Sequence, residues 1–229
     1  MDVYEAVATR ISVRDFLPTP VDPAVIRKVL AAARQAPSGG NLQPWHITVL
    51  AGEPLAGLKG LMRDKLREFP DGEPEREYDI YPKNLHPPYR DRRFKVGEDL
   101  YKTINIPRED RPGRLRQRER NFELFGAPLG LFCWIDKRMG PPQWSDLGMF
   151  LQTVMLLLRA EGLHSCPQEI WSMFPATMHA YLDVPAEQAL FCGMAVGHAN
   201  LDHAINGLRA DRAALDEVVR FIGDQETRS

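Results

Sequence analysis

One predicted helix, residues 142–161, is apolar on nearly every face, and it constrains the fold more than any other feature. A helix of this kind has to be covered on all sides. A single domain of 229 residues offers limited cover, so we expect part of the helix to face a second subunit. Its apolar residues are Trp144, Leu147, Met149, Phe150, Leu151, Val154, Met155, Leu156, Leu157 and Leu158.

The remaining predicted elements mix helices and strands without a regular βαβ rhythm, which favours an α+β fold. Residues 10–16 are expected to be an extended segment, and Asp22-Pro23 has the pattern of a helix start. The sequence predicts helices at 3–9, 23–36, 54–69 and 114–125, and strands at 46–52, 129–136 and 189–197.

A segment from about residue 70 to 112 shows weak periodicity and is rich in proline, charge and tyrosine. It has too few apolar residues to form a core, yet it is too aromatic for a simple disordered linker. We therefore expect one domain, residues 1–229, from which this segment departs as an excursion with a little helix. Together with the helix near 114–125, it is expected to form a lid at about 70–125.

Composition and charge exclude several classes of protein. A net charge of −2 and 44% apolar residues imply no global attraction to nucleic acid or to a membrane. The arginine-rich run 111–120 contains or adjoins several acidic residues, which indicates a solvated helix face. The longest apolar stretch, 147–158, is too short for a membrane span. The N-terminus lacks a signal-peptide pattern and the three cysteines are widely spaced, so we expect a cytoplasmic protein without a disulfide framework.

Arg10, Ser12 and Arg14 occupy alternate positions of the predicted extended segment. Side chains at every second position project from one side of an extended chain. Two guanidinium groups and a hydroxyl on one side suit a phosphate, because arginine offers forked donors and a permanent charge. A solvated strand face has the same pattern, so these residues alone leave both interpretations open.

The segment APSGGNLQPW, residues 36–45, places small and polar residues between a predicted helix and a predicted strand. Residues 38–43 offer a hydroxyl, amides and accessible backbone, which suit close approach to a ligand. A simple connection, with Gly39 and Gly40 supplying positive φ, is the alternative.

The segment GLHSCPQEIW, residues 162–171, is expected to be a second loop, directly after the apolar helix. Pro167 removes one backbone donor, and the amides of Gln168 and Glu169 are candidates to point into a cavity. Cys166 could be a nucleophile, but no arrangement with a histidine and a carboxylate accompanies it, so a buried structural thiol fits better. The histidines lack metal-binding spacing such as HExxH, so no metal site is expected.

Taken together in this order, the motifs resemble the flavin-dependent nitroreductase family. The resemblance covers the whole chain apart from residues 70–112. The motifs that carry it are RxSxRxF at 10–16, APSxxNxQPW at 36–45, GLxSCPQ at 162–168, GxxxG at 193–197 and NxxRxxRxxL at 206–215.

The resemblance implies a nitroreductase-like α+β fold with a central mixed, mostly antiparallel sheet flanked by helices. It implies an intertwined homodimer with an exchanged C-terminal segment and FMN at the interface. The first motif and the basic tail would hold the phosphate and ribityl chain, the 36–45 loop would reach the other subunit's flavin, and the Glu169 backbone N–H would be directed at flavin N5. The implied cofactor-binding residues are Arg10, Ile11, Ser12, Arg14, Pro37, Ser38, Gly39, Asn41, Gln43, Pro167, Gln168, Glu169, Arg209 and Arg212.

The same resemblance implies an FMN-dependent oxidoreductase that works by a ping-pong mechanism. NAD(P)H would deliver hydride to FMN and leave, and a nitroaromatic or quinone-like acceptor would then take its place. No catalytic side chain is expected, because the cofactor carries the chemistry. Relatives on the same fold that fragment flavin or remove halogen reductively are alternatives. A non-catalytic flavin-binding protein and a module that docks an acidic protein partner are alternatives from other classes.

Overall fold

Four strands form the central sheet: β1 (His46–Ala51), β2 (Leu129–Asp136), β3 (His164–Gln168) and β4 (Gln188–Gly197). The computed structural model describes residues 1–223. Residues 224–229, which end the predicted domain and its predicted exchanged C-terminal segment, lie outside the described part.

The strand order is β1-β2-β4-β3, and each neighbouring pair is antiparallel. Parallel pairing within residues 1–223 is limited to an isolated bridge between Ser12 and Ser165. The predicted α+β class, with a mostly antiparallel sheet flanked by helices, is therefore confirmed.

Helices surround the sheet and connect its strands. The Asp22 carboxylate accepts the Ala24 backbone N–H at 2.8 Å, which confirms the predicted helix start there. In the described residues the α-helices are α1 (Val3–Thr9), α2 (Pro23–Ala33), α3 (Gly52–Glu68), α4 (Tyr89–Thr103), α5 (Arg111–Glu119), α6 (Pro141–Ala160), α7 (Pro175–Leu182) and α8 (Leu215–Val218). Short 3-10 helices occur at Gly39–Asn41, Arg120–Gly126, Glu169–Met173 and Ala204–Gly207.

Alternate side chains of β2 enter two hydrophobic clusters, one on each face of the sheet. Leu131 and Cys133 pack in the cluster that includes α2 and α6. Phe132 and Trp134 pack in the cluster that includes α3 and Trp171. Because both of its faces are buried, β2 is a continuous apolar run in the sequence rather than an alternating one.

The apolar helix predicted at 142–161 is α6, and the rest of the described chain covers only part of it. Leu147, Val154 and Leu158 are fully buried against the core. Gly148 and Met149 are exposed, and Leu156 is only partly buried. An open strip with apolar side chains therefore remains along α6. Within residues 1–223, none of the helices has the length and apolar content needed to cross a membrane.

The prediction of a loop over residues 162–171 was wrong. Residues His164–Gln168 form β3, and Cys166 lies opposite Ala195 of β4. β3 is at the edge of the sheet, where a proline such as Pro167 is tolerated because one side of an edge strand makes no ladder bonds. The 3-10 helix Glu169–Met173 follows directly.

The excursion contains more helix than its sequence pattern indicates, because α4 is 15 residues long. None of its side chains is buried, so α4 lacks the apolar stripe by which a helix is recognised in a sequence.

Nearer the start of the predicted lid, the chain is held to the core. The Glu73 carboxylate accepts the backbone N–H groups of Ala176 and Thr177, at 2.8 and 3.1 Å, where α7 begins. The Glu77 carboxylate accepts the backbone N–H of Leu190 in β4 at 2.8 Å.

Candidate functional site

A cavity of about 560 Å³ lies between the extended segment 10–14 and the C-terminal tail. We call it the arginine cavity, because within residues 1–223 its lining contains four arginines and no carboxylate. Such a lining concentrates positive potential and suits an anion with several oxygen acceptors, such as a phosphate. Its charged and hydroxyl-bearing residues are Arg10, Ser12, Arg14, Arg209 and Arg212, and Ile11 also lines it.

Asn206 joins the first motif to the tail. Its side-chain oxygen accepts the Arg14 backbone N–H at 2.8 Å, and its amide nitrogen donates to the Asp15 and Asn200 carbonyl oxygens, both at 2.8 Å. The Asn206 carbonyl oxygen accepts Arg209 Nη1 at 2.9 Å. Segments from the two ends of the chain are thereby brought to one cavity.

The positive charges of the arginine cavity lack a negative partner in the described residues. Burial and the nearby Arg212 both lower the pKa of Arg10. Arg212 Nη1 instead donates to the carbonyl oxygens of Ala210 and Asp211, each at 2.9 Å. Two like charges held close together in partial burial are stabilised when an anion binds between them.

Cys166 lies behind this cavity and is fully buried. Burial raises the pKa of its thiol, while the nearby Arg14 and Arg10 act in the opposite direction. A thiol kept protonated in the core is a poor nucleophile, so the prediction of a structural thiol holds. Cys133, Cys166 and Cys192 are all free and buried.

A second cavity, of about 730 Å³, lies between the 3-10 helix after β3 and the predicted lid. We call it the lid cavity. Pro167, Gln168 and Glu169 line one side of it. The α4 helix reaches both cavities, since Arg93 lines the lid cavity and Val96 lines the arginine cavity. The other charged or amide residues that line the lid cavity are Asp71, Arg76, Asp79, Arg118 and Asn121.

The Gln168 side chain forms hydrogen bonds to other residues of the chain. Its Nε2 donates to the Asn121 carbonyl oxygen at 2.8 Å, and its Oε1 accepts from Trp171 Nε1 at 3.4 Å. Glu169 is the first residue of a 3-10 helix, where a backbone N–H has no partner inside the helix. Burial raises the pKa of the Glu169 carboxyl. The Glu169 backbone N–H is thus a candidate donor for a ligand, whereas the Gln168 side chain positions the segment.

The loop residues Pro37, Ser38, Gly39, Asn41 and Gln43 line neither of these two cavities. Asn41 and Gln43 adopt positive φ angles of 57° and 49°, a strained conformation for residues other than glycine. The Gly39 backbone N–H donates to the buried Asp146 carboxylate at 3.2 Å, which ties the loop to α6. Gly40 has a positive φ of 58° as expected, but Gly39 is not among the residues with positive φ.

Several residues that line the lid cavity could not be identified from the sequence. Arg118 belongs to the arginine-rich run that was predicted to be a solvated helix face. Asn121, Arg76 and Arg93 lie in or beside the excursion, where no motif marks them. Arg93 of α4 and Arg118 of α5 converge on this cavity only in the folded chain, and the local sequence offers no signal for that arrangement.

The sequence matches the model of the nitroreductase family over residues 7–198. It is 38% identical to a 4-nitrobenzoate reductase of Pseudomonas putida, over 97% of this chain and 96% of that protein. The fold is similar to the crystal structure of the FMN and NADPH-dependent nitroreductase NfnB from Sphigopyxis sp. strain HMH, with a TM-score of 0.94, 45% identity and coverage of 98% of this chain and 100% of that one. A second similar structure is the FMN-dependent nitroreductase NfnB from Mycobacterium smegmatis in complex with NADPH, with a TM-score of 0.89, 28% identity and coverage of 96% and 100%.

The family model spans most of the chain, and the Pseudomonas relative aligns over nearly its full length. The order of the motifs and the shared fold agree with both matches. The chain belongs to the nitroreductase family.

Proposed function

We propose that this protein is an FMN-dependent oxidoreductase that uses NAD(P)H to reduce nitroaromatic or quinone-like acceptors by a ping-pong mechanism. The observation that carries the proposal is the arginine cavity, whose four guanidinium groups face no carboxylate in the described lining. The similarity to a 4-nitrobenzoate reductase and to two FMN-dependent nitroreductases supports the same function. A cytoplasmic location accords with three free cysteines.

The residues present fit FMN at both of its ends. Arg10, Arg14, Arg209 and Arg212 are assigned to the phosphate, because they provide permanent positive charge in one cavity. Ser12 is assigned to the ribityl and phosphate oxygens, together with the backbone of the adjoining Ile11. These assignments use all the charged and hydroxyl-bearing residues that line the arginine cavity.

The lid cavity is assigned to the flavin ring and to the two substrates in turn. When bound, FMN supplies the hydride-transfer chemistry. The segment 167–169 would lie beside the ring, and its Glu169 backbone N–H is assigned as the donor to flavin N5. A donor fixed by a 3-10 helix would stabilise negative charge at that atom without reorganisation. The lid residues limit the access of water.

A homodimer completes the site in this proposal. Pro37, Ser38, Gly39, Asn41 and Gln43 line neither cavity of their own protomer, so we assign them to the flavin bound by a second copy. The open strip of α6 and the exposed apolar side chains of α1 provide a surface for that copy. The exposed tail residues Leu215, Val218, Phe221 and Ile222 accord with an exchanged C-terminal segment.

The visible spectrum of the purified protein tests the proposed function. We expect a yellow preparation that bleaches when NADPH is added without oxygen and regains its colour when a nitroaromatic is added. A colourless preparation that does not take up FMN would contradict the proposal. Bound FMN that NADPH never reduces would favour a non-catalytic flavin-binding protein.

A further inference from the structure

Arg118 is a half-buried arginine without an anionic partner in the described residues. Among residues 1–223, the hydrogen bonding of its guanidinium is limited to one contact, from Nη2 to the Met173 sulfur at 3.6 Å. Two other arginines of the same run are paired, Arg114 with Glu98 at 2.7 Å and Arg120 with Asp15 at 2.6 Å. A guanidinium that gives up water and gains only a thioether contact is left with most of its donors unused.

The position of Arg118 is fixed by the segment that lines the lid cavity. Its carbonyl oxygen accepts Asn121 Nδ2 at 2.8 Å. Asn121 in turn accepts the Gln168 side-chain amide through its carbonyl oxygen, at 2.8 Å, and through its side-chain oxygen, at 3.1 Å. Gln168 directly precedes Glu169, and all four residues line the same cavity. The Arg118 backbone is therefore held close to the segment that carries Glu169, and the Arg118 side chain lines the same cavity.

The other two arginines of the lid cavity are engaged at its exposed rim. Arg93 stacks on the Tyr81 ring, with 4.0 Å from the guanidinium carbon to the ring centroid, and Arg76 donates to the Asp71 carbonyl oxygen. Both are exposed, whereas Arg118 is partly buried. A partly desolvated guanidinium binds a carboxylate more strongly than an exposed one does. Of the three, Arg118 is the residue best suited to select a charged ligand.

We propose that Arg118 binds the carboxylate of an aromatic nitro acid and makes the protein selective for anionic over uncharged nitroaromatic acceptors. The inference rests on the proposed function, because it assumes that the acceptor occupies the lid cavity. A phosphate of the nicotinamide cofactor has the same anionic chemistry, and the test separates the two sources.

The test compares 4-nitrobenzoate with 4-nitrobenzamide, which has the same shape and no charge. Arg118→Met should lower kcat/KM for 4-nitrobenzoate by about 10- to 100-fold, mainly through KM, because one charge-assisted hydrogen-bonded pair is lost. It should change kcat/KM for the amide by less than about twofold. Arg118→Lys should keep part of the preference for 4-nitrobenzoate over the amide, because lysine retains the positive charge but not the paired N–H donors of the guanidinium.

Arg116→Met is the matched control, since Arg116 is exposed on the same helix and lines a different cavity. It should leave the ratio of the two kcat/KM values unchanged. An equal loss for both acceptors in Arg118→Met would overturn the inference. So would a raised KM for NADPH with an unchanged acceptor ratio, because the anion would then be the cofactor's phosphate.

A binding measurement keeps the inference testable independently of turnover. Calorimetric titration of the purified protein with 4-methylbenzoate and 4-methylbenzamide, which carry no reducible nitro group, should show a preference for the anion that Arg118→Met removes. Equal binding of both in the wild-type protein would overturn the inference. Failure of the proposed function would appear elsewhere, as an absence of flavin reduction by NADPH.

Discussion

The side-chain oxygen of Asn206 accepts the backbone N–H of Arg14 at 2.8 Å, and this hydrogen bond joins segments 192 residues apart. Asn206 is almost fully buried, with 3% of its surface exposed, and its remaining donors bind the Asp15 and Asn200 carbonyl oxygens. The side-chain amide of Asn206 therefore fixes the backbone of the first motif, and the backbone carbonyl oxygen of the same residue accepts the guanidinium of Arg209.

Asn206→Ala should both destabilise the protein and weaken FMN binding. Buried partners of the lost amide would be left unsatisfied, at a cost of about 2–4 kcal/mol in the free energy of unfolding. The displaced arginines should raise the Kd for FMN about tenfold or more. Urea denaturation and fluorescence titration measure the two effects. The exposed Asn84 offers a control, and Asn84→Ala should change neither; an Asn206→Ala protein with wild-type stability would contradict the assignment.

Glu73→Ala should destabilise the protein, because the Glu73 carboxylate caps the first turn of α7 from a buried position. The loss of a charged acceptor for two backbone donors is expected to cost about 2–4 kcal/mol in the free energy of unfolding. Glu75→Ala, two residues away and exposed, should stay within about 0.5 kcal/mol of the wild type. Denaturant unfolding of both variants measures the difference. Equal stabilities would mean that Glu73 does not anchor the start of the lid.

Stability should fall as the pH falls below 6.5, partly because of His164. Burial and the nearby Arg159 lower its folded-state pKa from 6.5 to about 4, so between these values the unfolded state binds more protons than the folded state. Stability is then lost as the solution becomes more acidic. His164→Gln, which cannot be protonated, should reduce this loss between pH 6.5 and 5 by about 1 kcal/mol after allowance for the ring's partial exposure.

The pH dependence of unfolding by urea measures the His164 contribution. Other groups titrate in the same window, so the informative quantity is the difference between the two proteins. Parallel stability curves for the wild type and His164→Gln would show that the ring does not contribute.

Met149→Glu should dissociate the proposed dimer. Met149 is 39% exposed on the open strip of α6, and a carboxylate buried there without a partner would be strongly unfavourable. Met149→Leu, which preserves volume and polarity, is the control and should remain dimeric. Sedimentation velocity gives the mass, and bound flavin is measured on the same samples. A Met149→Glu protein that stays dimeric with full flavin content would contradict this interface.

The parts of the site that have a recognisable pattern of neighbouring residues could be predicted from the sequence. Arg10, Ser12 and Arg14 alternate, and the structure indeed directs all three to one cavity. The incomplete cover of α6 also followed from its composition, because too many of its faces are apolar for one protomer to bury.

Other features of the fold and of the site depend on contacts between residues that are far apart in the sequence. β3 was missed because its residues include a proline and polar side chains, and it is a strand only through pairing with β4. The length of α4 was missed because none of its side chains is buried. Glu73 and Arg118 resemble ordinary surface charges in the sequence. Only the folded arrangement gives Glu73 its backbone donors and leaves Arg118 without an anionic partner among residues 1–223.

The central claim is that the arginine cavity binds the phosphate of FMN, and a comparison of FMN with riboflavin tests it most directly. Riboflavin has the same ring and ribityl chain but no phosphate. The apoprotein should bind FMN at least about 100-fold more tightly than riboflavin, because several charge-assisted hydrogen bonds depend on the phosphate. In the double variant Arg10→Met with Arg14→Met, this ratio should fall below about tenfold while the fold is retained. Equal affinities in the wild type, or a ratio that survives in the double variant, would contradict the account.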